Sequence, residues 1–384
     1  MNKVEFYRHH LEQEEIDSIT AALGGIFLTA GPLTRRFEAE FADYLGCRAV
    51  VGVYSCTSAL FLCLKAFGIG PGDEVITTPM TFVATANAVL ETGARPIFVD
   101  VEPGTGNLDA ERIEAAISDR TRAILPVHLY GLMCDMRRIR AIADRHRLRV
   151  IEDAAHCVEG TRAGVRPGEL GDAACFSFYA TKNLTSGEGG AISVNDPELA
   201  AELKLMRSHG IDRDAADRYS GAYRHWDMVR MGYKLNMFDL QAALLLPQLA
   251  KIEGRLARRR EIARRYRGAL TALPGVELPR EIEDSVHAHH LFTIWVDPER
   301  RDTILTALEA AGIGVAVNYR ALHLLSYYRE RFGFKPGDFP IAESIGARTI
   351  SLPFYPKMSD SEVDRVIEAV GVVSRESSIV NRQP

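Results

Sequence analysis

Small hydroxyl residues follow the first apolar run of the chain and precede an apolar helical segment. Ser55 and Thr57 stand between AVVGV (49–53) and SALFLCLKAFG (58–68), and Ser58 begins the second segment. A helix N-terminus offers free backbone N–H groups and a favourable dipole, and hydroxyls add donors, so this arrangement suits a phosphate group. Ordinary N-capping is the alternative interpretation. The sequence contains neither a Gly-x-Gly-x-x-Gly nor a P-loop motif, so dinucleotide and P-loop sites lack support.

A carboxylate and an amine follow two later apolar runs. Asp153 ends RVIED (149–153), where a buried carboxylate needs a cation or hydrogen-bond donors. Lys182 follows ACFSF (174–178) and precedes a turn rich in Asn, Thr, Ser and Gly. A desolvated lysine there would have a lowered pKa and would suit Schiff-base chemistry, whereas a surface lysine is the ordinary alternative. Ser177 would project near the same strand end.

The elements that must position these residues alternate between strands and helices over residues 48–194. Short apolar or β-branched runs bounded by Gly, Pro or Asp predict strands at 49–53, 74–77, 95–100, 123–128, 149–153, 174–178 and 190–194. Amphipathic segments between them predict helices at 58–68, 108–117 and 135–146. This alternation predicts an α/β fold with a mostly parallel sheet covered by helices on both faces. Such sheets bind ligands beyond the carboxyl ends of their strands, where the residues above lie.

The rest of the chain predicts a second, smaller unit. A helical stretch over 239–270 contains Pro247, which should kink it. The α+β pattern that follows comprises a strand at 290–296, a helix at 302–312, a strand at 313–319 and a closing helix at 359–371. We therefore expect a large α/β domain over residues 1–250 and a smaller C-terminal α+β domain over residues 251–384.

Composition restricts the class of protein. Of the 384 residues, 47% are apolar and 25% are charged, as in ordinary globular proteins. A formal charge of −5 argues against a general nucleic-acid binder. No apolar run approaches the ~20 residues that span a bilayer, the N-terminus lacks a signal-peptide core, and the cysteines lack zinc-type spacing. We expect a cytoplasmic protein without a membrane or nucleic-acid partner.

Eight segments of the sequence, in order along the chain, resemble those of one enzyme family. They are GGIFLTAGPLTRRFEAEFADYLG, SCTSAL, PMTFVATANAV, RPIFVDVEPGTGNLD, PVHLYG, VIEDAAHC, FSFYATKNLTSGEGGAI and GYKLNMFDLQAA. From about residue 4 to 370 the chain resembles the DegT-type (DegT/DnrJ/StrS) nucleotide-sugar aminotransferases. These are fold-type I enzymes that depend on pyridoxal phosphate (PLP). The resemblance therefore implies this fold, a PLP cofactor and an amino-transfer reaction.

The resemblance also implies roles for individual residues. Lys182 resembles the lysine that binds PLP covalently and then acts as the general base. Asp153 resembles the partner of the pyridine nitrogen, where an anion favours the protonated ring. The remaining implied cofactor contacts are Thr57, Ser58 and Ser177 around the phosphate, Phe82 stacked on the ring, His156 on its other side, and Asn236 reaching the phosphate of a neighbouring subunit. The last of these implies a homodimer with shared active sites.

The family resemblance further implies a ping-pong transfer from glutamate, or sometimes glutamine, to a nucleotide-linked keto sugar. Related dehydratases have histidine where this chain has Lys182, so the lysine favours transamination. The VIEDAAH form with His156 and the GYKLN variant most resemble enzymes acting on UDP- or dTDP-linked 4-keto-6-deoxy sugars. Relatives that act at the 3-position more often have glutamine at that site. A 3-keto sugar or inosose aminotransferase and a PLP-retaining regulatory or ligand-binding protein remain the alternatives.

Candidate substrate contacts are distributed along the whole chain. Arg213 and Lys234 would supply cations for a nucleotide diphosphate, although surface solvation is the ordinary role of either residue alone. Tyr319 and His323 would face the sugar nucleotide, although buried packing explains them as well. Glu188 would touch substrate unless it only serves the turn, and Thr29 is a further candidate. The histidines at 287, 289 and 290 lack nearby carboxylates, so we predict no metal site.

Overall fold

The computed structural model describes residues 3–213 and 225–380. Its strands are β1 (Ala49–Val53), β2 (Glu74–Thr77), β3 (Arg95–Phe98), β4 (Thr121–Ile124), β5 (Arg149–Asp153), β6 (Thr161–Arg162), β7 (Ala173–Ser177), β8 (Gly190–Val194), β9 (Ser285–Val286), β10 (Phe292–Trp295) and β11 (Thr349–Leu352). Seven of them form one sheet in the order β1-β8-β7-β5-β4-β2-β3. Strand β8 runs antiparallel to both its neighbours, and the other pairs are parallel. The predicted mostly parallel sheet is confirmed.

The helices of the described residues are α1 (Gln13–Leu23), α2 (Pro32–Leu45), α3 (Cys56–Ala66), α4 (Val83–Glu91), α5 (Met136–His146), α6 (Pro197–Met206), α7 (Asp239–Ala250), α8 (Ile252–Leu270), α9 (Arg301–Ala310), α10 (Ser326–Phe332), α11 (Pro340–Arg348) and α12 (Asp360–Val380). Successive strand residues face opposite sides of the sheet. Val51 and Cys175 accordingly pack in one core with α3 and α6, while Val50 and Ala174 pack in another with α2 and α7. Helices thus cover both faces, as predicted.

The long helical stretch is divided, but not at its proline. Pro247 lies inside α7, and the break falls at Lys251, the residue between α7 and α8. A proline cannot donate to the carbonyl four residues earlier, which leaves the oxygen of Ala243 without its helical partner. Ser18 Oγ of α1 donates to that oxygen at 2.7 Å. This side chain lets α7 continue past the proline.

The C-terminal part packs around an antiparallel pair of strands. β10 pairs with β11, and a buried apolar cluster joins them to α8, α9 and α12. The predicted strand at 313–319 is wrong, because this segment makes only isolated bridges, from Ile313 to Val4 and from Ala316 to Ser351. Val4 itself is fully buried in the C-terminal cluster. The division into domains at residue 250 stays a prediction.

Candidate active site

A cavity of about 560 Å³ lies at the carboxyl ends of the parallel strands. This volume is within the range of pockets that bind small molecules. Residues directly after or at the ends of β1, β2, β5 and β7 line it, namely Ser55, Cys56, Thr57, Thr81, Phe82, Asp153 and Ser177. The order of the strands in the sheet therefore brings together side chains that are more than 100 residues apart in sequence.

Hydroxyl groups and a helix N-terminus form one end of the cavity. Helix α3 begins at Cys56, and Ser55 caps it by accepting a hydrogen bond from the backbone N–H of Ser58 at 3.1 Å. Thr57, in the first turn, lines the cavity. Gly190 at the start of β8 packs against this turn so closely that a Cβ atom would lie 2.4 Å from the carbonyl carbon of Ser55. A glycine there lets the helix start at the end of the sheet.

Asp153 is a buried carboxylate that lacks a cationic side chain within ion-pair distance among the described residues. Thr85 Oγ1 donates to its Oδ2 at 2.8 Å, and the backbone N–H of Ala155 donates to its Oδ1 at 3.1 Å. Burial raises the pKa of Asp153, although these hydrogen bonds and the charge of Lys182 oppose the shift. A buried carboxylate of this kind favours a bound cation in the cavity.

Lys182 contributes an amine to the same cavity. Desolvation lowers the pKa of Lys182 from 10.5 to about 8, and the charge of Asp153 opposes this change. The amine is therefore partly uncharged near neutral pH, which is the form that attacks carbonyl groups. Among the charged side chains described in the wall, Lys182 is the one cation, and Asp153 and Glu188 are the carboxylates.

His156 is a further residue of the cavity wall, and its hydrogen bonds define which of its ring nitrogens carries the proton. Its Nδ1 accepts from the backbone N–H of Tyr130 at 3.2 Å, and its Nε2 lies 3.2 Å from the hydroxyl of Tyr319. Burial and the charge of Lys182 lower the pKa of His156 well below its usual value. The ring is thus neutral, with its proton on Nε2, and donates to Tyr319.

Apolar and aromatic side chains form much of the cavity wall. Phe82 is 57% exposed and its ring centre lies 6.0 Å from that of Tyr319. Other apolar or aromatic residues of the wall are Phe6, Tyr7, Leu60, Val127, Tyr179, Leu291, Leu352 and Phe354. Exposed aromatic faces beside polar groups suit a flat, partly polar ligand.

Comparison with known proteins identifies the scaffold. Residues 9–371 match the DegT/DnrJ/EryC1/StrS aminotransferase family. The chain belongs to this aminotransferase family. It is 47% identical over 365 residues to the spore coat polysaccharide biosynthesis protein SpsC of Bacillus subtilis (strain 168), covering 93% of this chain and 94% of that protein.

Two solved structures have the same fold as this aminotransferase. DesV of S. venezuelae superposes with a TM-score of 0.91 at 37% identity, covering 97% of this chain and 99% of that one. The PMP form of the sugar aminotransferase Spr1654 of Streptococcus pneumoniae, described as putative, gives 0.92 at 31% identity, with the same coverage. These matches confirm the fold-type I prediction.

Some of the residues singled out in the sequence lie outside the cavity wall of the aminotransferase. Ser58 is buried, and its hydroxyl lies 2.8 Å from that of Ser55, which lines the cavity in its place. Asn236 is buried on the loop before α7, and its Nδ2 donates to Thr29 Oγ1 at 3.2 Å. Lys234 is exposed on the same loop, and Arg213 does not line the cavity either.

His323 is also remote from the cavity. It is fully buried, its Nε2 lies 2.9 Å from Glu343 Oε1, and its ring packs edge-on against Phe339. This favours the packing interpretation of His323. Tyr319 and Glu188, by contrast, line the cavity. Within the described ranges, no cluster of His, Cys, Asp and Glu could hold a metal ion, and none of the helices is long and apolar enough to cross a membrane.

Several wall residues were missed in the sequence. Phe6 and Tyr7 reach the cavity because the N-terminal segment packs against the segment after α9. His290 lines the cavity with its ring centre 4.4 Å from that of His156. The sequence contains one signal for Thr85, because a second threonine, Thr81, lies four residues earlier, which is a helical spacing. In the structure the two hydroxyls are 2.8 Å apart. No local sequence pattern predicts that Phe6, Tyr7 and His290 line the cavity.

Proposed function

We propose that this aminotransferase transfers an amino group from glutamate to a 4-keto-6-deoxy sugar carried on UDP or dTDP. The observation that carries the proposal is a single cavity in which an amine of lowered pKa, Lys182, lies with the buried carboxylate of Asp153. Aminotransferase is the activity class of the family, and its solved member Spr1654 is described as a sugar aminotransferase. The predicted enzyme class is thereby confirmed.

The cofactor is pyridoxal phosphate. Spr1654 has been solved in PLP and PMP forms, which are the two states of the cofactor in amino transfer. The cavity of this chain fits the group, because it offers a helix N-terminus with hydroxyls for a phosphate and an unpaired carboxylate for a protonated ring nitrogen. When bound, PLP supplies an electron sink for the C–H bond next to the transferred amine.

We assign the cofactor contacts as follows. Thr57 and Ser177, with the start of α3, hold the phosphate, and Asp153 pairs with the ring nitrogen. Phe82 covers one face of the ring, and His156 lies on the other. Two features support this assignment: these side chains line one cavity, and the neutral His156 adds no positive charge that would compete for Asp153.

Lys182 performs the proton transfers in this proposal. Its Nζ would hold the cofactor covalently, and in the reaction it would be the base that accepts the proton from the α-carbon of the amino donor. A pKa of about 8 keeps a useful fraction of this amine neutral and still able to hold the proton afterwards. The negative charge of Asp153 offsets the positive charge that Lys182 gains when it accepts this proton.

The sugar would bind against the apolar part of the cavity wall. Tyr319 offers a hydroxyl that can both donate and accept, and the wall around it is apolar. A 6-deoxy sugar matches such a wall, because its methyl group would pack against apolar side chains while its hydroxyls meet Tyr319. A 3-keto-6-deoxy sugar would place the same methyl group there, so the preference for the 4-keto class comes from the resemblance of the VIEDAAH and GYKLN segments to the 4-keto enzymes.

We further propose that the enzyme is a cytoplasmic homodimer whose subunits share active sites. A nucleotide diphosphate would need cations beyond Lys182, and the described wall offers none. A second subunit could supply them. The six cysteines are free, and this suits a reducing compartment.

A half-reaction assay tests the proposed substrates. The PLP-loaded protein should lose its visible absorbance on addition of glutamate and regain it when a 4-keto-6-deoxy sugar nucleotide is added. Glutamine serves as the matched donor, and a 3-keto sugar nucleotide as the matched acceptor. Recovery only with the 3-keto sugar would overturn the substrate assignment, and unchanged absorbance with every donor would favour a regulatory PLP-binding protein.

A further inference from the structure

A buried ion pair lies beneath the active site without lining the cavity. Glu159 follows the strand end that carries Asp153, and Arg259 lies on α8. Their side chains are 0% and 2% exposed and are in direct contact. Ion pairs this deeply buried are stable only when further hydrogen bonds satisfy both partners. The partners of this pair therefore indicate what it holds in place.

The pair is joined directly to the residue after Lys182. Asn183 Nδ2 donates to Glu159 Oε2 at 2.9 Å and to the carbonyl oxygen of Ala288 at 3.0 Å. Arg259 Nε donates to that same carbonyl at 3.2 Å. One amide group thus connects the turn that carries Lys182, the ion pair and the chain at Ala288.

The same turn has a second anchor two residues further on. The backbone N–H of Thr185 donates to Gln248 Oε1 at 3.1 Å, and Gln248 Nε2 donates back to the carbonyl of Thr185 at 2.7 Å. Arg255 Nη1 donates to that Oε1 as well, at 3.2 Å. The turn is therefore held from α7 and from the ion pair, while its lysine points into the cavity.

The other end of the connection is also part of the cavity wall. Ala288 precedes the wall residue His290 by two positions, and their backbone N–H groups donate to Gly131 and Tyr130 at 2.8 and 3.0 Å. Asn183 therefore ties Lys182 to the wall formed by His290 and His156, whose rings are 4.4 Å apart. Asn183 is therefore the side chain that links the turn of the amine directly to this wall.

We propose that Asn183, held by the Glu159–Arg259 pair, is a positioning residue that fixes the amine of Lys182 within the cavity. This inference rests on the proposed role of Lys182. Asn183 touches neither cofactor nor substrate, and it acts by keeping the lysine desolvated and aligned. Misalignment of a reacting group by ~1 Å can cost about 100-fold in rate, so the effect is measurable.

The test measures how fast apo-protein attaches PLP covalently, as a function of pH, with borohydride reduction and peptide mapping of each sample. Asn183→Ala should attach PLP about 10- to 100-fold more slowly than the unaltered protein. Its pH midpoint should move upward from about 8 towards the ordinary lysine value of 10.5, because the freed amine reaches water. Asn183→Ser, which cannot span both acceptors, provides a second variant should the first fail to fold.

Asn195→Ala is the matched control. Asn195 also joins two segments of the chain, because its Nδ2 donates to the carbonyl of Gly168 at 3.1 Å and its Oδ1 accepts from the backbone N–H of Arg48 at 3.0 Å, and it does not line the cavity. It should lower the thermal midpoint without moving the rate or the pH midpoint. An Asn183 variant that behaves like this control would overturn the inference. A failure of the unaltered protein to label Lys182 would instead contradict the proposed function.

Discussion

At the scale of single residues, the reactivity of the site depends on how burial and charge act on Lys182. Burial lowers the pKa of this lysine to about 8, whereas the charge of Asp153 acts in the opposite direction. About half of the amine is then neutral at pH 8, against less than about 1% for an exposed lysine. The cavity therefore activates the nucleophile without a separate base.

The lowered pKa of Lys182 predicts how cofactor attachment depends on pH. Only the neutral amine attacks PLP, so the attachment rate should increase with pH and level off above a midpoint near 8. The appearance of visible absorbance after mixing apo-protein with limiting PLP measures that rate. Free lysine in the same buffers corrects for the titration of PLP itself. A midpoint near 10.5 would show that Lys182 is solvated like a surface lysine.

Sequence patterns predict the residues that follow strands and miss those that depend on packing. Lys182, Asp153, Thr57 and Ser177 could be grouped in advance, because parallel strands bring their carboxyl ends to one edge of the sheet. Tyr7 could not, because its place depends on a non-local contact between the N-terminal segment and residues after α9. Candidates selected only for their charge or polarity, such as Lys234, lie outside the wall.

At the scale of elements, the site depends on the close approach of β8 to the start of α3. Gly190→Ala would place a Cβ atom 2.4 Å from the carbonyl carbon of Ser55 and 2.6 Å from the backbone nitrogen of Cys56. We expect the free energy of unfolding to decrease by about 1–3 kcal/mol and the Kd for PLP to increase, because the helix start must move. Denaturant unfolding and absorbance titration measure the two effects.

Gly268→Ala in α8 serves as the control for this substitution. No atom lies within 4 Å of the position that its Cβ would occupy, and replacing a helical glycine should raise the free energy of unfolding by about 0.5–1 kcal/mol. The Kd for PLP should not change. Unaltered PLP affinity in Gly190→Ala would show that the α3 terminus does not hold the phosphate.

Elements with strong local patterns could be predicted almost to the residue. The strands at 49–53, 74–77, 149–153 and 190–194 have the bounds that their apolar runs indicate. The segment 313–319 has a similar apolar pattern but forms only isolated bridges, so its backbone makes no continuous ladder. A periodic pattern shows that residues are buried, but it does not show whether a neighbouring strand is available.

At the scale of the whole molecule, we expect the site to be completed by a second subunit. Asn236 is 3% exposed, its Oδ1 has no hydrogen-bond partner among the described residues, and it lies outside the cavity of its own chain. A buried acceptor oxygen without a donor is costly and indicates a missing donor group. A phosphate only accepts, so a contact between Asn236 and a phosphate would have to come from Nδ2 of the same amide. The family resemblance assigns this position to the cofactor phosphate of the neighbouring subunit.

Asn236→Ala should therefore weaken PLP retention without changing the oligomeric state. Light scattering with size-exclusion chromatography measures the mass, and equilibrium dialysis measures the Kd for PLP. Lys234 is an exposed residue of the loop that carries Asn236, so Lys234→Ala is the control for a change in loop structure. A monomer that binds PLP tightly would contradict the shared-site arrangement. Quaternary structure of this kind has no signature in the spacing of one chain, and the sequence suggested it only through resemblance.

Reductive trapping of the cofactor tests the central assignment most directly. The PLP-loaded protein is treated with borohydride and digested, and its peptides are mapped by mass spectrometry, with Lys182→Ala as the control. We expect one phosphopyridoxyl label, on Lys182, and no label in the variant. The variant should still bind PLP but lose turnover by several orders of magnitude. A label on another lysine, or no label in the unaltered protein, would contradict this assignment.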